Sequence, residues 1–261
     1  MEPILALHSS LSSRAQWRPL ADYLGSYYRM AAVDLHGYGA SRLTASSITL
    51  QEEAARALHR ARDLIGMTRP VHLVGHSYGG AVALALALAY PHRVRSVAVY
   101  EPVLFNLLPQ SSPNATLGRW VARSVEWHVG RGELDHAARA FLEYWAGRGA
   151  YDASPADRRE RFDAAIRKVP LDYGAIMSGP HDAAAYSEIR VPTLVMSGRG
   201  SVPATREIAR RLAAAIPAAQ LEELGGDHLM PINDPDAFNP VVARFLANLG
   251  KPTTLRTGTL G

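Results

Sequence analysis

The sequence predicts an α/β fold, in which a mostly parallel sheet of about six strands is flanked by helices and carries an all-helical insertion. Three observations predict it. Short apolar runs alternate with longer runs of helical periodicity, which is typical of βαβ units. The apolar runs are nearly continuous, as expected of strands that are covered on both faces. Between residues 104 and 187 the alternation stops, and only amphipathic helical patterns occur.

The individual elements follow from these patterns in chain order. Strands are predicted at the short apolar runs 4–8, 30–34, 71–75, 94–100, 193–197 and 220–223. Helices are predicted at the longer runs 13–25, 50–65, 79–90, 204–216 and 235–249. Inside the insertion, helical patterns cover 117–129, 134–147 and 155–168. We therefore divide the chain into an α/β core (1–103 and 188–250), a helical cap (104–187) and a flexible tail (251–261).

The composition limits the function classes. Apolar residues make up 48% of the 261-residue chain, enough for a substantial core. Lys and Arg total 28 against 24 for Asp and Glu, and the two signs are mixed along the chain. Lysine occurs only at Lys168 and Lys251, so nearly all the cations are arginine. Because no run of like charge stands out, a nucleic-acid interface is not indicated.

Two absences narrow the chemistry further. The chain has no cysteine, which excludes disulfides, thiolate metal sites and a cysteine nucleophile. Its first residues lack the pattern of a signal peptide, and no stretch reaches the ~20 apolar residues that span a bilayer. We expect a cytoplasmic protein, monomeric or homodimeric, that acts on a small molecule. Neither a metal nor an organic cofactor is indicated, nor is a nucleic-acid or membrane partner.

The most informative motif is the Gly-x-Ser-x-Gly pattern centred on Ser77. It follows a predicted strand and precedes a predicted helix, which is the context in which this pattern forms a sharp, strained turn. Such a turn lifts the serine hydroxyl above the sheet, and the two glycines let strand and helix approach closely. The motif therefore predicts a nucleophilic serine rather than an ordinary turn.

At these residues the chain resembles the α/β-hydrolase superfamily, and three further segments extend the resemblance over most of its length. Residues 7–10 resemble the family's first-strand turn, 34–41 its Asp-x-x-Gly-x-Gly-x-Ser loop, and 225–228 its catalytic-histidine loop. There are two departures. Ser9 stands where a glycine is usual, and the family's N-terminal antiparallel hairpin is missing, which is why we expect about six strands.

The other catalytic roles are predicted from position. A serine needs a base, and His228 follows the last predicted strand, where the chain returns to Ser77. His8 is expected to support the neighbouring turn, and the His76 side chain to point away from the nucleophile. The backbone N–H groups of Ser10 and Tyr78 are expected to form the oxyanion hole.

The acid that orients the histidine is missing from its usual place in the family. After the penultimate strand the sequence reads Gly-Arg-Gly-Ser-Val-Pro over 198–203, without a carboxylate. Glu101 ends the strand beside the nucleophile strand, a position at which some superfamily members carry their acid. We therefore predict Glu101. Three alternatives are weaker: Asp227 adjoins His228, Asp182 lies in the insertion, and Asp34 is expected to anchor the Gly-rich loop.

The substrate pocket is the least determined part. Aromatic residues recur at helical spacing in the insertion, and most such residues pack into a core. We nevertheless expect some of them to line the pocket, together with wall residues beside the oxyanion turn. The candidates are Leu11, Tyr78, Trp120, Trp127, Tyr144 and Trp145.

These residues predict a serine hydrolase that cleaves a small carboxylic ester, thioester or lactone through an acyl-serine intermediate. Hydrolysis of a C–C bond in a β-diketone-like substrate, or a perhydrolase side activity, would use the same triad. A dehalogenase or an epoxide hydrolase is disfavoured, because either would need Asp at position 77. A non-catalytic ligand-binding protein on the same fold is the alternative from another class.

Overall fold

The computed structural model describes residues 1–66 and 69–249. Within them, six strands form one sheet in the order β2-β1-β3-β4-β5-β6, and all neighbouring strands are parallel. The predicted number of strands and their order along the chain are confirmed. The strands are β1 Glu2–Leu7, β2 Tyr28–Val33, β3 Val71–His76, β4 Val94–Tyr100, β5 Thr193–Gly198 and β6 Ala219–Leu224. The predicted tail 251–261 lies outside the described residues.

Ten α-helices occur in the described ranges, and none of them is long and apolar enough to cross a membrane. Six belong to the sheet's connections and C-terminal part: α1 Arg18–Leu24, α2 Leu50–Ile65, α3 Tyr78–Ala89, α8 Pro203–Ala215, α9 Met230–Asn233 and α10 Pro235–Asn248. Four lie between β4 and β5: α4 Pro113–Gly130, α5 Leu134–Ala146, α6 Ala156–Ala165 and α7 Val169–Met177.

Two predicted helices begin several residues away from the observed start. The run 13–25 begins as a 3₁₀ turn, Arg14–Trp17, and becomes α-helical only at Arg18, just before Pro19. Proline at the second helical position lacks the N–H that a longer α-helix would use there. The run 117–129 in fact begins at Pro113, because Ser112 caps the helix by accepting a hydrogen bond from Ala115 N–H.

The sheet is covered on both faces, and β1 shows this directly. Leu5 and Leu7 pack into the apolar layer that contains α2, α3 and α8. Ile4 and Ala6 point to the opposite face, where α1 and α10 pack. Side chains of successive strand residues alternate between faces, so a strand that is apolar at every position must be buried twice.

The helical insertion packs on the α3 side of the sheet. Its buried residues, including Val125, Phe141 and Ile176, belong to the same continuous core as α2 and α3. Insertion residues such as Phe141 and Phe162 also line one cavity with Ser77, which follows β3, so the insertion lies near the carboxyl ends of the strands. The division into a separate core and cap stays a prediction, since the apolar contacts run continuously between them.

Candidate active site

Ser77 lies in a strained turn between β3 and α3. Its backbone has φ 55° and ψ −119°, a conformation that costs free energy for any residue with a side chain. A Cβ at Gly79 would lie 2.2 Å from the Leu7 carbonyl oxygen, and one at Gly75 would lie 2.6 Å from the Gly79 carbonyl oxygen. Both glycines of the motif are therefore required by close backbone packing. The Ser77 N–H donates to the Tyr100 carbonyl at 3.0 Å and helps to fix the turn.

The structure brings Ser77, His228 and Glu101 together. His228 Nε2 lies 3.0 Å from Ser77 Oγ, and His228 Nδ1 lies 2.7 Å from Glu101 Oε2. All three residues are buried. With the proton on Nδ1 donated to the carboxylate, Nε2 is free to accept the serine proton, which is the arrangement that general-base catalysis by histidine requires. The catalytic roles themselves stay predictions.

Hydrogen bonds to the atoms of Glu101 that do not contact His228 hold this residue in place. It directly follows β4, its φ is 45°, and its Oε1 accepts a hydrogen bond from Gly198 N–H at 2.7 Å. Its own N–H donates to the Met196 carbonyl at 2.9 Å. Gly198 ends β5, the strand after which the family's acid usually lies. The side chain of Glu101 thus spans from β4 to β5 and reaches His228 from there.

The three alternative acids are bound elsewhere. Asp227 Oδ1 accepts from Leu229 N–H at 2.8 Å, and Asp182 Oδ1 accepts from Ala184 N–H at 2.9 Å. Asp34 accepts from Arg14 N–H at 2.7 Å and from Ala40 N–H at 3.0 Å. Asp34 therefore anchors its own loop, as expected, and none of the three carboxylates contacts the His228 ring.

A series of hydrogen bonds between uncharged side chains, which we call the neutral relay, ends at the backbone carbonyl of His228. It consists of Ser9, Gln16 and His76. His76 Nε2–H donates to the His228 carbonyl at 2.8 Å, and His76 Nδ1 accepts from Gln16 Nε2 at 3.0 Å. Gln16 Oε1 accepts from both the N–H and the hydroxyl of Ser9, each at 3.1 Å. The serine that replaces the family's glycine thus gains a bond partner.

The relay histidine is neutral. Burial, followed by repulsion from the neighbouring His228, holds the pKa of His76 well below its ordinary value. A neutral ring has one donor and one acceptor nitrogen, which matches its two bonds. His8 is similar: burial lowers its pKa to about 4, and its Nδ1–H donates to the Ser9 carbonyl at 2.7 Å. His8 thus holds the Ser9 backbone; that this turn binds an oxyanion stays a prediction.

The predicted oxyanion residues, Ser10 and Tyr78, adjoin Ser77 in different ways. Tyr78 is the first residue of α3, so its N–H has no intrahelical acceptor. Ser10 lines the same cavity as Ser77 and His228. The side chains of both bond to buried carboxylates: Ser10 Oγ donates to Asp172 at 2.6 Å and Tyr78 Oη to Glu53 at 3.1 Å. The prediction that Tyr78 forms a pocket wall is wrong, because its ring is turned away from the cavity and fully buried.

The cavity above Ser77 has a volume of about 820 Å³. Leu11 and Trp145, two of the predicted pocket residues, line it; that they bind substrate stays a prediction. The Trp145 ring stacks on His228, with 4.1 Å between the ring centroids. Apolar walls come also from Phe141, which is another of the aromatic residues at helical spacing in the insertion, and from Leu142 and Phe162, which the sequence did not indicate.

Three other predicted pocket residues, Trp120, Trp127 and Tyr144, do not line this cavity. The Trp120 and Trp127 side chains are 63% and 57% exposed, because α4 buries its small face, with Val121 and Val125, instead. Trp127 packs under the Arg131 guanidinium on the surface. Tyr144 contacts the edge of Trp145 and does not line the cavity. Helical spacing places these residues on helices, but it does not show which face a helix buries when both faces carry apolar side chains.

The cavity also has a charge preference. Two arginines of α6 line it, Arg158 and Arg161, and among the described lining residues none is acidic. Arg161 pairs with Asp157, which lies outside the lining, at 2.7 Å. The Arg158 guanidinium lies over the Phe162 ring, 5.4 Å from its centre, and has no ion pair within the described chain. An anion in the cavity would therefore meet one uncompensated positive charge.

Comparison with known proteins shows the family to which the chain belongs. A sequence profile of the Alpha/beta hydrolase family matches residues 4–241. The chain belongs to this family. It is 27% identical to 2-hydroxy-6-oxo-6-phenylhexa-2,4-dienoate hydrolase of Burkholderia cepacia, over 95% of the chain and 88% of the relative.

Solved structures agree with the family assignment. The enol-lactonase of Burkholderia xenovorans LB400 superposes with a TM-score of 0.77 at 25% identity, covering 94% of this chain and 91% of that one. A thermophilic esterase of Thermogutta terrifontis shares the fold, with a TM-score of 0.77 at 22% identity and coverage of 95% and 90%. The chain is a hydrolase of the α/β family, as its resemblance implied.

Proposed function

We propose that this hydrolase cleaves a small carboxylic ester, a thioester or a lactone through an acyl-serine intermediate. The observation that carries the proposal is the unbroken series of hydrogen bonds from Ser77 Oγ through His228 to Glu101. A strained serine turn (φ 55°) at the head of this series also argues against a non-catalytic binding protein, which would have no use for the strain.

The reaction follows from the geometry. Ser77 Oγ attacks the substrate carbonyl carbon while His228 Nε2 takes the hydroxyl proton, and Glu101 stabilises the resulting imidazolium. The carbonyl oxygen becomes an oxyanion, which the Ser10 and Tyr78 N–H groups bind. His228 then protonates the departing group, the C–O or C–S bond breaks, and the acyl group stays on Ser77. A water molecule, deprotonated by His228, attacks the acyl carbon and restores the free serine.

The same residues support a second candidate, C–C bond hydrolysis. The Burkholderia cepacia relative is named for a substrate whose 6-oxo carbon is flanked by carbon on both sides, so attack there would break a C–C bond. The relative is 27% identical over nearly the whole chain, which favours this alternative over the perhydrolase side activity.

The charge of the cavity favours an anionic substrate. We expect Arg158 to bind a carboxylate at the end of the substrate remote from the cleaved bond. In wild type, mono-p-nitrophenyl glutarate should be hydrolysed with a kcat/KM about 10-fold above that of p-nitrophenyl valerate, its neutral counterpart of equal length, and Arg158→Gln should abolish the difference. Arg161→Gln is the matched control, since Arg161 already pairs with Asp157. Equal rates for both esters in wild type would contradict the assignment.

The helical insertion is proposed to act as the cap over this site, because α5 and α6 supply much of the cavity wall. A cytoplasmic location is proposed because a chain without cysteine does not need an oxidising compartment. The small-molecule substrate and the monomeric or homodimeric state stay predictions.

A substrate panel tests the proposed function. Purified protein is assayed against p-nitrophenyl esters, acyl thioesters, lactones and a 2-hydroxy-6-oxodienoate, with Ser77→Ala as the control. We expect turnover of at least one oxygen or sulfur ester that is lost in the control. Turnover of the dienoate alone would replace the ester proposal by the C–C alternative, and activity that survives in Ser77→Ala would overturn both.

A further inference from the structure

A second buried polar group, which we call the ionic cluster, joins the helical insertion to the core. It consists of Lys168, just before α7, Asp172 in α7, and Glu53 in α2. All three side chains are at most 3% exposed. Lys168 is also the only lysine among the described residues, in a chain whose other cations there are arginines.

Lys168 holds the two carboxylates together. Its ammonium group pairs with Asp172 Oδ1 and lies 3.4 Å from Glu53 Oε2. It also lies 4.8 Å from the centre of the Tyr78 ring and 5.4 Å from that of Tyr38. Buried charges are tolerated only when they are paired and hydrogen-bonded, and here each charged group has such partners.

The cluster connects directly to both predicted oxyanion residues. Asp172 Oδ2 accepts hydrogen bonds from the Ser10 hydroxyl, at 2.6 Å, and from the Tyr38 hydroxyl. Glu53 Oε2 accepts from the Tyr78 hydroxyl at 3.1 Å. The two residues whose amides should bind the oxyanion are therefore fixed by their side chains to carboxylates that share one lysine.

We propose that Asp172 is a positioning residue for the oxyanion hole, and that the helical insertion sets the position of the Ser10 turn through it. This inference rests on the proposed function. The Ser10 amide can stabilise an oxyanion only if it is held in place before the charge develops. The strand β1 ends before this turn, and Leu11 within it has a φ of 58°, so side-chain contacts must hold the turn. His8 and Gln16 hold Ser9 from the core, and Asp172 holds Ser10 from the insertion.

A purely structural role is the alternative. Buried ion pairs contribute little net stability compared with apolar residues of the same size, so stability alone is a weak reason to keep Lys168 and Asp172. The two roles differ in what they affect. A positioning role changes binding of the tetrahedral, negatively charged state and leaves binding of the flat ground state unchanged.

Three variants separate these roles. Ser10→Ala removes the bond to Asp172 but keeps the backbone N–H and the whole ion pair, so it is expected to fold. Asp172→Asn keeps the shape and removes the charge. Asp163→Asn is the matched control: this α6 carboxylate accepts a bond from the Tyr151 hydroxyl at 2.9 Å and contacts neither Ser10 nor Lys168.

The readouts are kcat and KM for p-nitrophenyl butyrate and the inhibition constants of two matched ketones. 2,2,2-Trifluoroacetophenone adds the serine to form an oxyanion, whereas acetophenone stays a flat ketone. Thermal unfolding is recorded for every variant.

We expect Ser10→Ala to lower kcat on the order of 10-fold and to raise the inhibition constant of trifluoroacetophenone by the same factor. KM and the inhibition constant of acetophenone should stay within twofold of wild type. Asp172→Asn should show the same split with a larger loss, and Asp163→Asn should show neither. A wild-type kcat in Ser10→Ala would overturn the inference, as would an equal rise in the inhibition constants of both ketones. If wild type itself hydrolyses no ester and binds neither ketone, the proposed function fails instead.

Discussion

Two buried polar groups contact the active-site residues: one is neutral and the other is charged. The difference matches the chemistry proposed for the residues that each group contacts. The neutral relay of Ser9, Gln16 and His76 lies behind His228 and belongs entirely to the core. The ionic cluster lies behind the oxyanion turn and spans core and insertion. In the proposed mechanism His228 gains and loses a proton in each cycle, with the Glu101 charge stabilising the protonated ring; a second charged group beside it would disturb that balance. Beside the oxyanion turn no proton moves, and paired charges can hold the backbone in place.

The largest expected effect comes from removing the one charge that does contact His228. Glu101→Gln should lower kcat by roughly 10³–10⁴-fold, because the amide no longer stabilises the imidazolium and favours the wrong tautomer. Steady-state kinetics on the best ester of the panel measures this.

The matched control is Ser201→Ala, at the place where the family's acid usually lies; we expect near-wild-type kcat. Turnover of Glu101→Gln within a few-fold of wild type would show that another group orients His228. The contrast between the neutral relay and the ionic cluster would then lose its explanation.

A smaller effect is expected from breaking the neutral relay. Gln16→Met keeps the length of the side chain but removes its bonds to Ser9 and His76, so the His228 loop loses one of its supports. The loss is partial, because the Tyr100 hydroxyl still donates to the neighbouring Asp227 carbonyl at 2.5 Å. We expect kcat to fall on the order of 10-fold.

The same substitution at an exposed position, Gln110→Met, serves as control and should leave kcat unchanged. An undiminished kcat in Gln16→Met, with wild-type thermal stability, would mean that the relay merely fills space.

A last expected effect concerns stability instead of rate, and it depends on pH. Burial lowers the pKa of His8 to about 4 from an ordinary 6.5, so between these values the unfolded chain binds more protons than the folded one. The contribution of a neutral His8 is complete above pH 6.5 and is lost as the pH falls towards 4, by roughly 3 kcal/mol for a shift of this size. His76 acts in the same direction.

The ionic cluster should act in the opposite direction. Burial raises the pKa of Glu53, so in the window just above its ordinary value the folded state binds the extra proton and acidification favours folding. Urea unfolding of wild type and His8→Gln at pH 7, 6, 5 and 4 checks the first effect: the variant should lose less stability on acidification. Parallel curves would contradict it.

Much of the fold could be predicted because its signals are local. The apolar runs give the strands, and the glycines on either side of Ser77 give the turn. Parallel strands also bring their carboxyl ends to one edge of the sheet, so Ser77, Glu101 and His228 could be placed together from their positions after β3, β4 and β6.

The supporting residues could not be predicted, since their contacts join distant parts of the chain. Asp172 is 162 positions from Ser10, and nothing in the spacing of either residue indicates the other. Gln16 follows a serine-rich loop and looks like an ordinary surface residue in sequence. Lys168, one of only two lysines in the sequence, stands out by composition, but only the packing of α7 against the core gives it partners.

The central claim is that Ser77 is the nucleophile. Its most direct test is labelling with a fluorophosphonate followed by mass spectrometry of the intact protein and its peptides, with Ser77→Ala as control. Our account predicts a single adduct, on the peptide that contains Ser77, and none in Ser77→Ala. An ester-hydrolysing protein that stays unmodified, or is modified only at another residue, would contradict it.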